Sequence, residues 1–379
     1  MSTPGASGSR VLVVGAGGNI GSHLVPHLGR MKGISEVVLI DPGTYESSNL
    51  AGQDIIRADV GRRKVSVQAR RLSRISPSLT VTPITATVEE VPAGCLRADV
   101  ILACLDSRAS RQTVNRCAWI LGVPWIDAGV HADGLLAQVA VYVPRGSNSC
   151  LECAWHDGDY AAIEQTYPCA AGPAEPPVTG APSSLGALAA ALQAIECEKL
   201  LAGTFDAAAA GRRVLIDAAS HRHYVTAVRR NGSCRMSGHE PWHISRFRHP
   251  LGEATVSDIL HLGRSAAAAQ MSWSVVGRRF VTKLTCPACA AGRPVLRLSG
   301  PHAPLGRCAA CDGPLVVAGF DLRDCLRFDE LWAVRSRSLA GMGLRPGDLF
   351  TVAGPGTSRH YVIDSGSSHA ISTRENERR

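Results

Sequence analysis

Val11-Leu-Val-Val-Gly15-Ala-Gly-Gly-Asn-Ile-Gly21, with the apolar run Val37-Val-Leu-Ile40 and Asp41-Pro42-Gly43 behind it, is the stretch that carries the architecture. Val11–Val14 is an apolar run that ends in glycines, and residues 22–31 read as the helix that follows. Strand, glycine turn, helix and strand within about thirty residues make a βαβ unit. At such a turn, glycines let backbone N–H groups approach phosphate oxygens, and the helix N-terminus adds positive potential. Asp41, at the end of the second strand, is placed to accept hydrogen bonds from ribose hydroxyls. Gly15, Gly17 and Gly21 are spaced G-x-G-x-x-x-G, one residue longer than the dinucleotide pattern. Alone, this fingerprint says nucleotide and suits NAD as well as ATP.

The same alternation continues outward. Residues 64–75 read as a helix, 80–84 as a strand, 100–104 as a buried strand, 115–121 as a helix and 124–128 as a strand. Strands alternating with helices predict an α/β fold with a doubly wound, mostly parallel, Rossmann-like sheet. Gln138–Val143 alternates and leads to Cys150. Residues 158–184, rich in Pro, Gly and Ala, read as a mobile loop. Residues 185–201 read as a helix, and 214–216 and 224–228 as late strands. Beyond about residue 245 the pattern weakens. The predicted division is a nucleotide-binding domain over 1–245, a C-terminal region over 246–353 with a cysteine module at 284–315, and a disordered tail over 354–379.

Composition narrows the function class. Hydrophobic residues are 45% of the 379-residue chain, enough for a real core. The longest apolar run, Leu185–Ala194, is too short to span a bilayer, and Met1–Arg10 has no apolar core of a signal peptide. Both point to the cytoplasm. The net charge of +8 comes from arginine, since only four of the 40 basic residues are lysine, and aromatics are 5%. No basic run is interleaved with aromatics, so nucleic acid is not the expected partner.

Thirteen cysteines without an export signal point to metal or catalysis rather than disulfides. Cys286-x-x-Cys289 and Cys308-x-x-Cys311, 18 residues apart, present four thiolates in the spacing of a Zn²⁺ ribbon. Cys150-x-x-Cys153 is a third knuckle that needs partners. Cys95, Cys104, Cys117, Cys197 and Cys325 sit in apolar sequence and read as small core residues.

Past Asp41 the chain resembles the ThiF/MoeB ubiquitin-activating family, in family order over about residues 10–245. The resemblance rests on Asp41-Pro-Gly-Thr-Tyr-Glu-Ser-Ser-Asn49-Leu-Ala-Gly-Gln53, on Asp59-Val-Gly-Arg-Arg-Lys64 and on Ala103-Cys-Leu-Asp106-Ser-Arg-Ala-Ser-Arg111-Gln-Thr-Val-Asn115. It implies an ATP-dependent adenylyltransferase that activates the C-terminal carboxylate of a small ubiquitin-like or sulfur-carrier protein, or of a peptide. Forming an acyl-adenylate brings two anions together, so cations must offset the repulsion. The resemblance implies that Lys64 contacts the phosphates, that Asn49 and Gln53 hold polar groups of the nucleotide, and that Asp41 takes the ribose. Asp106 would coordinate Mg²⁺, with Arg111 and Asn115 supporting the site. It also implies that Cys234 and His239 (or His243) complete the Cys150 zinc site, and that Cys169 can receive the acyl group or sulfur. A conjugating partner and a homodimer follow from the same likeness. One departure stands out: Gly52 occupies the place of a family arginine, which Arg57, Arg62 or Arg63 would have to replace. The ribbon and the motif Leu339-Ala-Gly-Met-Gly-Leu-Arg-Pro-Gly-Asp348 point to partner docking. Two competing readings are an NAD(P)-dependent oxidoreductase, which leaves Lys64, Asp106 and the Cys150 knuckle without work, and a non-catalytic adaptor subunit.

Overall fold

The computed structural model of the protein describes residues 8–164, 180–204, 208–236, 238–263, 270–300 and 305–364. They form two compact units, one from Met1–Val91 with Leu96–Trp242, the other from Pro92–Cys95 with His243–Arg379.

The first unit is built on β1 (Ser9–Val14), β2 (Ile34–Ile40), β3 (Thr80–Ile84), β4 (Val100–Ala103), β5 (Trp125–His131), β6 (Leu136–Tyr142), β7 (Arg212–Asp217) and β8 (Arg222–Ala227), in the order β3-β2-β1-β4-β5-β6-β7-β8. The first five strands are parallel, and β5 to β8 pair antiparallel. Helices α1 (Asn19–Leu28), α2 (Lys64–Ile75), α3 (Arg108–Leu121), α4 (Asp157–Glu164) and α5 (Ser183–Leu201) belong to this unit. In β1 and β4, Val11–Val14 and Val100–Ala103 are buried on both faces, which is why they read as unbroken apolar runs. The chain leaves β1 toward β2 on one side and returns to β4 on the other. Their carboxyl ends therefore flank a topological switch point, where sheets of this kind hold ligands.

The second unit carries β9 (Ile244–Phe247), β10 (Ser272–Val275), β11 (Phe280–Thr285), β12 (Gly292–Leu298), β13 (Leu322–Arg323), β14 (Cys325–Arg327), β15 (Leu349–Gly354) and β16 (Thr357–Ile363), with the short helices α6 (Val256–Leu262) and α7 (Phe328–Trp332). One sheet runs β14-β10-β15-β16-β9, the other β12-β11-β13. Trp273, Phe280, Phe350 and Leu331 centre its core. Among the described residues, no helix is long and apolar enough to cross a membrane.

Several expectations are corrected. Helix α3 starts at Arg108, seven residues before the expected start, because Ser107 caps it by accepting from the Ser110 N–H at 3.3 Å. Its polar first turns hide the period. Asp157–Glu164, all but its first residue inside the expected loop, is helical. Thr357–Ile363, inside the expected disordered tail, is a strand held between β15 and β9, so backbone pairing outweighs its polar composition. Cys325, expected in a core, is exposed on the short strand β14.

The glycine turn is as tight as its spacing implies. A Cβ on Gly21 would lie 2.1 Å from the Gly15 carbonyl oxygen, and that backbone has no room to yield. Gly21→Ala should therefore cost about 1–3 kcal/mol in urea unfolding, the range for overpacking. Gly232→Ala, with open space around the new methyl, should stay within about 0.5 kcal/mol of wild type. Equal midpoints would contradict this account of the turn.

Candidate nucleotide site and cysteine clusters

The site grows from the Gly15 turn. Gly15 takes φ +81°, and its Cα faces the Cys104 carbonyl so closely that a Cβ would lie 2.4 Å from that oxygen. The ends of β1 and β4 are thereby held together. The Asp41 carboxylate, buried, accepts from the N–H of Gly17 and of Gly43, each at 2.9 Å. Both its oxygens thus fasten the turn to the end of β2. With Gly17 N–H taken and Gly18 N–H bonded to Gly15, the N–H groups of Asn19, Ile20 and Gly21 at the start of α1 have no acceptor among the described residues. They form an anion-binding end of the kind a phosphate occupies.

Lys64 opens α2, and its backbone N–H bonds the Gly43 carbonyl at 3.0 Å. Its aliphatic stem lies across Gly17 and Gly43, where Cβ atoms would approach it to 2.3 and 3.0 Å. The ammonium stands 5.5 Å from the centre of the Tyr45 ring. Tyr45 is itself buried and accepts from Gln68 at 2.7 Å, which fixes the ring. Among the described residues Lys64 has no carboxylate partner, so its charge is available to a ligand.

Asp106 follows the end of β4 and is exposed, without a hydrogen bond or ion pair among the described residues. Arg111 does not share its freedom. Its Nε donates to Asp127 at 2.9 Å, and its Nη2 bonds the Leu105 carbonyl, so it braces the loop that presents Asp106. Burial raises the Asp127 pKa while Arg111 opposes the rise. Asn115 departs from the expectation. It is fully buried, its Oδ1 accepts from the Leu151 N–H at 3.2 Å and its Nδ2 donates to Glu152 at 3.3 Å. It therefore supports the Cys150 knuckle rather than the nucleotide turn. The Asn49 Oδ1 accepts from the Glu46 N–H at 2.9 Å. The Gln53 Oε1 is buried without a partner among the described residues, an acceptor available to a ligand donor. Arg57, Arg62 and Arg63, expected to replace the arginine absent at Gly52, are all exposed, and Arg63 bonds the Pro42 carbonyl at 3.4 Å beside Asp41. Cys169 lies outside the described residues.

Cys150, Cys153, Cys234 and His239 converge. Their three sulfurs are 3.7–3.9 Å apart, and His239 Nε2 lies 3.2–3.3 Å from each. A tetrahedron with Zn–S bonds of about 2.3 Å has S–S edges of about 3.8 Å, so the donor set fits Zn²⁺. Burial, and then the neighbouring sulfurs, push the Cys150 thiol far above its ordinary pKa. A divalent cation offsets the cost of crowding thiolates there. His239 holds a positive φ of 50° and meets Trp119 edge-on at 5.2 Å.

Cys286, Cys289, Cys308 and Cys311 form the second cluster, with the Cys286–Cys311, Cys289–Cys308 and Cys289–Cys311 sulfurs 3.4, 3.6 and 3.5 Å apart. Its two knuckles repeat one geometry. Ala290 N–H bonds Cys286 O and Asp312 N–H bonds Cys308 O, both at 2.9 Å, and both residues take positive φ. Backbone N–H donation lowers the Cys286 and Cys308 thiols, while hydrogen bonding among the sulfurs raises those of Cys289 and Cys311.

Residues 6–236 match the ThiF family. The chain is 31% identical over 233 residues to the sulfur carrier protein ThiS adenylyltransferase of Escherichia coli (strain K12), covering 61% of this chain and 86% of that protein. It is 30% identical over 234 residues to the molybdopterin-synthase adenylyltransferase of the same organism, covering 61% and 87%. Among solved structures, the crystal structure of E. coli MccB superposes with a TM-score of 0.50 at 22% identity, over 64% of this chain and 68% of that chain, a likeness of fold.

Two measurements test this geometry. Elemental analysis of the purified protein should give two zinc ions per chain, falling to one in Cys153→Ser and to one in Cys308→Ser. A wild-type value of zero or one would remove a cluster from the account. Replacing Arg111 with Leu strands buried Asp127 and should cost about 3–5 kcal/mol in urea unfolding. An unchanged midpoint would show that the pair does not carry the loop.

Proposed function

This chain belongs to the ThiF family and is an adenylyltransferase of that family, and on that premise we propose that it activates the C-terminal carboxylate of a small ubiquitin-like or sulfur-carrier protein, or of a peptide, as an acyl-adenylate. The observation that carries this reading is the pair of unspent charges at the switch point. Lys64 lies across the glycine turn without a carboxylate partner, and Asp106 stands exposed at the end of the adjoining strand. With the family established, an oxidoreductase reading of the glycine turn falls away. A non-catalytic adaptor would have no use for either charge.

In the proposed reaction a carboxylate oxygen of the partner attacks the α-phosphorus of ATP. The bond from that phosphorus to the bridging oxygen breaks, and pyrophosphate leaves with the electron pair. The free N–H groups at the start of α1 and the Lys64 ammonium hold the phosphates, and Gln53 offers an acceptor to the nucleotide. Asp41 spends its carboxylate on the turn and so acts first as the residue that shapes it, a ribose contact being secondary. Mg²⁺ held by Asp106 would supply charge neutralisation on the phosphates. Arg63 is the arginine we assign to the charge missing at Gly52. Zinc in both cysteine clusters is structural in this reading. A homodimer and a conjugating partner are part of the proposal through the family likeness alone.

Thermal unfolding with Mg-ATP and, separately, with NAD tests the reading. A ligand bound only by the native state adds about 2.7 kcal/mol at a hundredfold excess over Kd. Mg-ATP should raise the Tm of wild type, less so of Asp106→Ala and Lys64→Ala, and NAD should not. Pyrophosphate exchange with synthetic peptides ending in Gly-Gly should then fall at least a hundredfold in Lys64→Ala. A Tm shift with NAD alone, or exchange unaffected by Lys64→Ala, would overturn it.

A further inference from the structure

Behind the glycine turn the first unit brings together three side chains that the adenylation chemistry does not use. Ser183, the first residue of α5, has its Oγ 2.9 Å from His23 Nε2 on α1. The opposite ring nitrogen of His23, Nδ1, faces Asp54 Oδ2 at 3.9 Å. Nucleophile, imidazole and carboxylate stand in the order by which a serine is activated, with the carboxylate at ion-pair distance from the ring rather than hydrogen-bonded to it. Asp54 is itself fixed by Arg71, whose guanidinium bonds both its carboxylate and its backbone carbonyl, and by the Ser22 hydroxyl, which accepts from the Asp54 N–H at 3.0 Å.

Three further features suit a nucleophile better than a packing contact. Pro182 and Ser184 are exposed and Ser183 is half-buried, which sets the serine at the edge of the surface. The N–H groups of Leu185 and Gly186 bond the Pro182 carbonyl, whereas those of Ser183 and Ser184 have no acceptor among the described residues. Two free N–H donors at the head of a 19-residue helix, one of them on the residue after the nucleophile, are the parts of an oxyanion-stabilising site. Burial, with Arg71 and His27 adding to it and Asp54 opposing, lowers the His23 pKa. The ring is therefore neutral at neutral pH, as a general base must be.

The location links this group to the head of α1. Asn19, the first residue of α1, donates through Nδ2 to the Ala181 carbonyl at 3.2 Å, and His23 stands one helical turn further along the same helix. We propose that Ser183 is a nucleophilic serine, activated by His23 and Asp54, that takes over the acyl group from the acyl-adenylate. This rests on the adenylation reading and gives the activated carboxylate an acceptor within the chain. The Ser183 Oγ forms a bond to the acyl carbon while its proton passes to His23 Nε2. The bond from that carbon to the phosphate oxygen breaks and AMP leaves with the electron pair. An oxygen ester on Ser183 remains, open to an amine, a thiol or water.

A fluorophosphonate probe tests the serine without ATP or the partner carboxylate. Intact mass and peptide mapping of the full-length zinc-loaded protein should show one adduct, on Ser183. It should disappear in Ser183→Ala, in heat-unfolded wild type, and slow at least tenfold in His23→Gln. His23→Asn, scored only if its Tm matches wild type, guards against a folding defect in the first variant. No adduct on wild type, an adduct elsewhere, or a Ser183 adduct formed equally fast without His23 would overturn the proposal. Because the probe bypasses adenylation, absent pyrophosphate exchange counts against the adenylation reading alone.

Discussion

The contact on which the first unit depends is the approach of the Gly15 backbone to the Cys104 carbonyl. It joins the carboxyl ends of β1 and β4, and no side chain fits between them. From it follow the position of α1, whose first N–H groups are left facing outward, and the position of the Leu105–Asp106 loop. Asp41 then ties the same turn to β2 through two backbone N–H groups. The three strand ends form one rigid rim, and a buried carboxylate bonded at both oxygens is a strong way to hold it.

On that rim the charges are arranged by what each is allowed to touch. Arg111 and Asp127 neutralise each other below the surface, and Arg71 and Asp54 do so beside α1. Lys64 and Asp106 are left unpaired among the described residues. A positive ammonium and a carboxylate kept apart at one site lose the Coulomb energy that pairing would return. At this partly exposed rim water solvates both groups, so leaving them unpaired costs little and keeps both open to a ligand.

The sequence carried the parallel sheet because its central strands are buried on both faces and so read as continuous apolar runs. The cysteine ribbon was legible because knuckle spacing encodes the tetrahedron almost directly. Asn115 was not, since a helix position four residues from Arg111 says which face it shares but not how far the neighbouring chain reaches. The Leu151 and Glu152 groups it meets are 36 and 37 residues away. Strand β16 was hidden for a related reason: its polar residues are satisfied by two strand neighbours, one of them β9, more than a hundred residues earlier. The Ser183–His23 pair spans 160 residues and has no local signature at all.

Two irregularities that look separate in the sequence are one feature in space. The glycine turn is a residue longer than the dinucleotide pattern, and Gly52 stands where the family carries an arginine. Asn19, in the lengthened turn, donates to the Gly52 carbonyl at 2.6 Å, and its Oδ1 sits 2.0 Å from where a Cβ on Gly186 would be. Its Nδ2 is also 3.3 Å from the Cβ position of Gly52. The asparagine thus fills the space between the Gln53 loop and α5, and a side chain at 52 would have to push it aside. An arginine at that position and an asparagine in the turn compete for the same volume. In this chain the asparagine holds that volume, and Lys64 is the cation that lies across the turn.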